Sequence, residues 1–212
     1  MERLTRGCPR CREPLDQPGG PDCARHGSGA VLWHPREPSY AAFVEHLAAA
    51  RDFPTYLPWP MAPGWAVSDF AVVTEGSGVP VATLTCVSGT TELDGPVDVL
   101  LVAEEPGVGL GARCAGLPGG DPGHEMGDQQ PVVRVRIGSL ASSLWTVSTS
   151  GAASAELDRS VLAGEAAGRW LWVVLRPASA VLLMRDDWIL RDVSGGGPLM
   201  VEMPFAGPGP DW

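Results

Sequence analysis

The chain of 212 residues contains no lysine, because all 15 of its basic residues are arginine. That absence excludes chemistry. A P-loop needs a lysine on the phosphates, a protein kinase needs one on a strand, and a pyridoxal phosphate enzyme needs one for its Schiff base. Isoleucine is almost missing as well, with Ile137 and Ile189 alone, and the two biases together point to a GC-rich genome. Long apolar runs are lacking too. The longest strongly apolar stretch, Trp170 to Leu175, falls far short of the about 20 residues that cross a bilayer, and no apolar run follows the charged start at residues 1–6. The sequence therefore predicts a soluble, cytoplasmic protein with no membrane partner. A formal charge of -10 also opposes broad nucleic-acid binding, in which basic side chains must neutralise phosphates.

What is present is turn chemistry and large apolar side chains. The 27 Gly and 21 Pro predict many turns and few long helices, and eight Trp supply bulky surface to bury. The length suits one medium domain with a small appendage.

Five cysteines are an odd number, and three fall within the first 23 residues in metal-type spacing, which favours a reducing compartment over a disulfide framework. Cys8-Pro9-Arg10-Cys11 and Cys23-Ala24-Arg25-His26 give C-x2-C-x11-C-x2-H. Two residues between thiolates let a tight turn aim both sulfurs at one ion, and two such turns complete a tetrahedron. The pattern reads as a zinc ribbon with a closed, structural Zn2+ site formed by Cys8, Cys11, Cys23 and His26. His34, in Trp33-His34-Pro35, is the alternative fourth ligand. About 25 residues build too little core alone, so the metal is expected to supply most of the ribbon's folding free energy. Its outer face carries Arg3, Arg6, Arg10, Arg12 and Arg25 against Glu2, Glu13, Asp16 and Asp22, a balance too even to require nucleic acid.

After the ribbon, Ser39 is positioned to cap a helix running to about Arg51, with Tyr40, Phe43, Val44 and Leu47 as its apolar stripe. The Pro-rich run from Leu57 to Trp65 reads as extended. Its Trp59 and Trp65 are expected to cover the core edge, with a binding surface as the alternative. Short strands are expected at 65–73, 79–87 and 97–104 as a meander, then at 132–137, around Trp145, and at 188–193. Trp170–Leu175 and Ala180–Met184 read as a hairpin around Arg176-Pro177-Ala178-Ser179. The expected fold class is α+β: a zinc ribbon (1–34), a linker helix (35–56), a predominantly antiparallel domain (57–194), and a disordered Gly/Pro-rich tail (195–212).

Other candidate sites are weaker. Gly107, Gly109 and Ala112 match G-x-G-x-x-A after an apolar strand, so Gly107, Gly109, Gly111 and Arg113 are candidates to hold a small anion, although Glu104 and Glu105 oppose one. Asp121, His124, Glu125 and Asp128 read as a solvated acidic loop. Cys86 and Cys114 read as buried thiols without a partner base, and Glu165 and Arg169 as a surface ion pair at a turn.

These residues taken together resemble an uncharacterised family of GC-rich bacteria, a domain of unknown function whose members are sometimes labelled phosphotransacetylase. The resemblance spans most of the chain. It is carried by Cys8 to Gly27, by Pro58-Trp59-Pro60 with Gly64-Trp65, by Val102 to Arg113, and by Ala163-Gly164-Glu165 with Trp170-Leu171-Trp172. It implies an aromatic in place of Cys114 in many members, which counts against a catalytic thiol there, and it brings no catalytic residues; none of the phosphotransacetylase motifs occurs. The sequence thus favours a zinc-binding, non-enzymatic binding or regulatory module with a protein partner. The alternative is an enzyme or sensor for an anionic small molecule at residues 104–113.

Overall fold

The computed structural model describes residues 2–11, 13–15, 23–27, 29–123, 126, 130–149, 158–185, 188–196, 203–207 and 209–212. These residues build one large sheet. Its eleven strands are β1 (Leu4–Gly7), β2 (Ala30–Pro35), β3 (Tyr56–Pro58), β4 (Ala66–Glu75), β5 (Pro80–Thr91), β6 (Gly95–Glu104), β7 (Val133–Ile137), β8 (Leu140–Thr146), β9 (Ser160–Ala166), β10 (Arg169–Arg176) and β11 (Ile189–Asp192). They lie in the order β1-β2-β4-β5-β6-β10-β9-β8-β7-β11-β3. The helices among the described residues include α1 (Tyr40–Ala50), α2 (Leu110–Ala115) and a 3-10 helix at Ala178–Arg185.

This architecture overturns the expected α+β arrangement of a separate ribbon, a linker helix and a second domain. The strands of the segment read as a ribbon are the edge of the main sheet: β1 pairs with β2 from Leu4↔Pro35 to Gly7↔Leu32, and β2 continues onto β4 from Ala30↔Glu75 to Trp33↔Val72. The physical reason is burial. So small a piece has no core of its own, and joining the sheet places Leu4 and Leu32 in cores built by other strands. The sheet is also mixed, since β11 runs parallel to β7 through Ile189↔Arg136.

The meander expected from Trp65 onward forms as β4, β5 and β6, joined antiparallel. β6 then pairs with β10, whose other neighbour is β9. The β9–β10 turn is Ala167-Gly168, both at positive φ (53° and 77°), the two-residue geometry that matches strand twist. The expected hairpin with Ala180–Met184 does not form, because that segment is the 3-10 helix. Ala180 and Met184, four apart, reach the core while Leu182 stays exposed. A short apolar run does not distinguish the two structures by itself.

Ser39 caps α1 as expected, its hydroxyl accepting from the Ala42 N–H at 3.3 Å. The buried face is rotated, however. Ala42, Phe43, His46 and Ala50 point inward, whereas Tyr40 and Val44 are 43 % and 48 % exposed. Small alanines let the helix approach β4 closely, and His46 stacks on Phe43 (5.3 Å) and meets Phe70 edge-on (5.3 Å). The tail expected to be disordered is packed where it is described. The Val67 N–H donates to Pro204 at 2.9 Å, Phe205 and Met203 join the core, and Trp212 is buried.

β4, β5, β6 and β10 are covered on both faces. One face carries Val67, Phe70, Val99, Leu101 and Val173 beneath α1 and β3. There the hydroxyls of Thr83 and Thr85 donate to the carbonyls of Pro54 and Tyr56, tying the chain at β3 across the sheet. The other face carries Leu84, Leu100, Val102 and Trp172 beneath α2 and Trp212.

His46 gives the core a pH dependence. Burial holds its pKa down at about 3, against 6.5 ordinarily, so the native ring stays neutral while the unfolded one protonates. A depressed histidine pKa means that stability is present above pH 6.5 and lost on acidification, at about 1.4 kcal/mol per pH unit. His46→Phe is expected to reduce the loss of stability between pH 6.5 and 5 by about 2 kcal/mol, read from urea melts; an unchanged slope would contradict this.

Candidate metal centre and its docking

β1 ends at Gly7 and delivers Cys8-Pro9-Arg10-Cys11, where the Cys8 N–H turns back to the Glu13 carbonyl at 2.9 Å. The second turn is closed by reciprocal backbone bonds between Cys23 and Gly27 (2.8 and 3.1 Å), with Gly27 at φ 72°, a conformation that favours glycine. The two turns face each other, and one ligand atom from each of Cys8, Cys11, Cys23 and His26 lies within 4.8 Å of all the others. His26 presents Nδ1, at 3.6 Å from both the Cys8 and Cys23 sulfurs, and Cys11 Sγ lies 3.5 Å from Cys23 Sγ.

These four groups can bind a metal ion. Soft sulfur donors with one imidazole suit zinc-like ions, and four protein ligands fill a tetrahedral shell. Burial raises both neighbouring thiols, but the Arg25 and His26 N–H groups outweigh it at Cys23 and bring that pKa down to about 6. At Cys11 burial, with the adjacent sulfurs, pushes it up to about 11. His34 is engaged elsewhere. Its Nε2 meets the Asp69 carboxylate at 2.8 to 2.9 Å, and Asp69 also accepts from the Trp212 indole at 2.7 Å.

The centre is bound to the rest of the fold by two arginines. From the first turn, Arg10 donates to the carbonyls of Gly107 (2.8 Å) and Val108 (3.3 Å). From α2, Arg113 reaches back to the carbonyls of Pro9 (3.1 Å) and Cys8 (3.4 Å). The same guanidinium donates to the Trp212 carbonyl at 2.6 Å and lies 4.5 Å over its ring. Arg113 thus joins the metal turn, α2 and the tail.

This geometry changes the reading of the Gly-rich turn. Two of the three glycine N–H groups considered for an anion are engaged within the chain: Gly111, together with Leu110, donates to buried Glu104 Oε2 (3.2 and 2.8 Å), and Gly107 donates to Asp121 (2.8 Å). Gly109, at φ 84°, packs beside Arg10, and a Cβ on Gly111 would meet the Trp172 ring at 2.2 Å. Gly107, Gly109 and Arg113 therefore dock the metal turn, Gly111 packs on Trp172, and Glu104 is the acceptor at the start of α2. Sequence reasoning took Glu104 as a group opposing an anion, or as a polar group of the turn if that were a site, and missed its role as acceptor for the first N–H groups of α2; its position three residues before the first glycine was the available signal.

The remaining candidates are not assembled into a site. Cys86 and Cys114 are free and fully buried, which pushes the first thiol far up and the second to about 12. Arg169 pairs with Glu105 at 2.9 Å instead of the expected Glu165. His124, Glu125 and Asp128 lie outside the described residues.

Burial also pushes Glu104 up to about 7 from 4.5, against the pull of the two N–H donors and of the nearby Trp172 indole. Between those values the native chain holds a proton that the unfolded chain has released, so this group lowers stability as pH rises from 4.5 through 7. Glu104→Gln is expected to gain on the native protein by on the order of 3 kcal/mol across that range, measured as the difference between two urea series; a constant difference would refute it. Arg113→Ala is expected to cost about 2 to 3 kcal/mol, through lost charge-assisted bonds and ring contact, with little rescue by Arg113→Lys because an ammonium cannot fork. Full rescue by lysine would show that charge alone matters.

No curated protein and no solved structure gives a match. Residues 2–211 match a family of unknown function, DUF6758. The metal cluster, the Gly-rich turn and all of the tail but Trp212 fall within that stretch, and the chain belongs to the DUF6758 family.

Proposed function

We propose that Cys8, Cys11, Cys23 and His26 hold a structural zinc ion, and that the protein is a zinc-dependent binding or regulatory module with a protein partner. The observation that carries this reading is the mutual approach of the four ligand atoms within 4.8 Å. A shell closed by four protein groups leaves no position for a reactive water, which favours a structural role over a catalytic one. The anchoring of the Cys8–Cys11 turn through Arg10 and Arg113 supports the same role, because the ion would then fix the surface around that turn, α2 and Trp212. Thiolate ligands and two further free thiols favour a reducing compartment, the cytoplasm. An all-arginine basic complement favours a source with a GC-rich genome, in keeping with a bacterial family.

Elemental mass spectrometry of the purified, tag-free chain is the test. About one zinc per chain is expected, with loss or weakening in both Cys11→Ser and His26→Ala. No zinc under reducing conditions, or equal zinc in all three proteins, would reject the reading.

A further inference from the structure

The Pro-rich segment beyond α1 builds a cleft that the metal centre does not explain. Three tryptophans wall it: Trp59 and Trp65 from the segment, and Trp188 just before β11. Each has an anchored backbone. The Trp59 N–H donates to the Ile189 carbonyl (2.8 Å), the Trp65 N–H to Ala62 (3.1 Å), and the Trp188 carbonyl accepts from Arg136 (2.8 Å). Trp65 lies so close over β5 that a Cβ on Gly89 would meet its ring at 2.5 Å, so glycine is what lets this wall stand where it does. The cleft, which is open to solvent on one side, has a volume of about 440 Å3, within the usual range of small-molecule sites.

The lining decides the chemistry. Among the described residues it holds no charged side chain, and the hydroxyl of its one threonine, Thr91, is already engaged with Asp94. An anionic guest would lose its hydration without a counter-charge in the lining, since Arg191 borders the neighbouring hollow on the β7–β11 side and not this cleft. Tryptophan walls can also form a cage for a cation, but here the Arg191 guanidinium lies 4.8 Å from the Trp59 ring and opposes a second positive charge. Flat indole faces favour a flat guest.

We propose that this cleft is a binding site for a neutral, planar, apolar small molecule. The site shares no lining residue with the metal centre and stands independently of the zinc assignment. It gives the Trp59 and Trp65 segment a use beyond covering the core edge.

The full-length chain is titrated with 1-aminoanthracene, which is uncharged at neutral pH. One saturable site per chain is expected, with enhanced probe emission and quenched tryptophan emission. Ala62 is exposed at the rim and contributes its backbone carbonyl to the turn, so Ala62→Glu brings a charge to the mouth while keeping that bond. This variant is expected to weaken uptake about tenfold, because an apolar guest at the mouth would displace part of the carboxylate's hydration. Trp188→Phe, which keeps an aromatic ring, is expected to weaken it by a smaller factor. Naphthalene is expected to displace the probe at lower concentration than tetramethylammonium or benzoate. Unsaturable uptake, or uptake indifferent to both variants, would overturn the proposal. So would displacement by tetramethylammonium, benzoate or a polyproline peptide at lower concentration than naphthalene.

Discussion

Burial of β4, β5, β6 and β10 on both faces is the constraint to which the other elements answer. Antiparallel strands usually leave one face to water and so alternate apolar with polar residues. Here β4 runs Ala66-Val67-Ser68-Asp69-Phe70-Ala71-Val72-Val73-Thr74 with every residue buried, so both faces require a cover. One cover is α1 with β3 and Phe205, held by hydroxyls of β5 that satisfy carbonyls a strand alone would leave unpaired. The other is α2 with Trp212, laid over Trp172 of β10.

The second cover explains why polar chemistry gathers around a short helix. α2 is six residues long and begins at left-handed Gly109, without a side-chain cap from its own N-cap residue. Glu104, arriving at the end of β6, accepts from its first N–H groups and closes that deficit at the cost of a buried carboxylate. Trp172 lies against Gly111, where a methyl group would not fit. The helix is then placed to direct Arg113 at the metal turn and at Trp212. Stacking on an aromatic ring while donating to carbonyls suits the planar guanidinium.

The metal turns and the apolar cleft sit on parts of the chain that belong to opposite margins of the sheet. β1 and β2 form one margin and carry the Cys/His cluster beyond their ends, while β11 and β3 form the other and frame the tryptophans. Each margin is modified at an edge that could otherwise pair with another chain. At the first, the tail makes a parallel bridge to β4 at Val67, before the stretch where β2 is paired. At the second, Pro58 and Pro60 remove backbone donors beside β3.

Local signals settled a good deal. C-x2-C and C-x2-H spacing brought out the four residues whose ligand atoms converge, because two residues between ligands is itself the geometry of a tight turn. Ser39 marked the start of α1, short apolar runs across the Glu75–Gly78 turn marked the β4–β6 meander, and alternation marked β7, because capping, turning and pleating act over a few residues. What lay beyond sequence reach depends on partners distant along the chain. The rotation of α1 toward Ala42 and His46 is set by Phe70, the Gly-rich turn receives Arg10 from 97 positions earlier, and His34 is committed to Asp69 thirty-five positions away. The merging of the ribbon into the sheet and the docking of the tail have the same cause. Hydrophobic burial is non-directional and roughly proportional to area, so a sequence shows which surfaces must be covered, whereas the covering element is chosen only when all the surfaces compete in three dimensions.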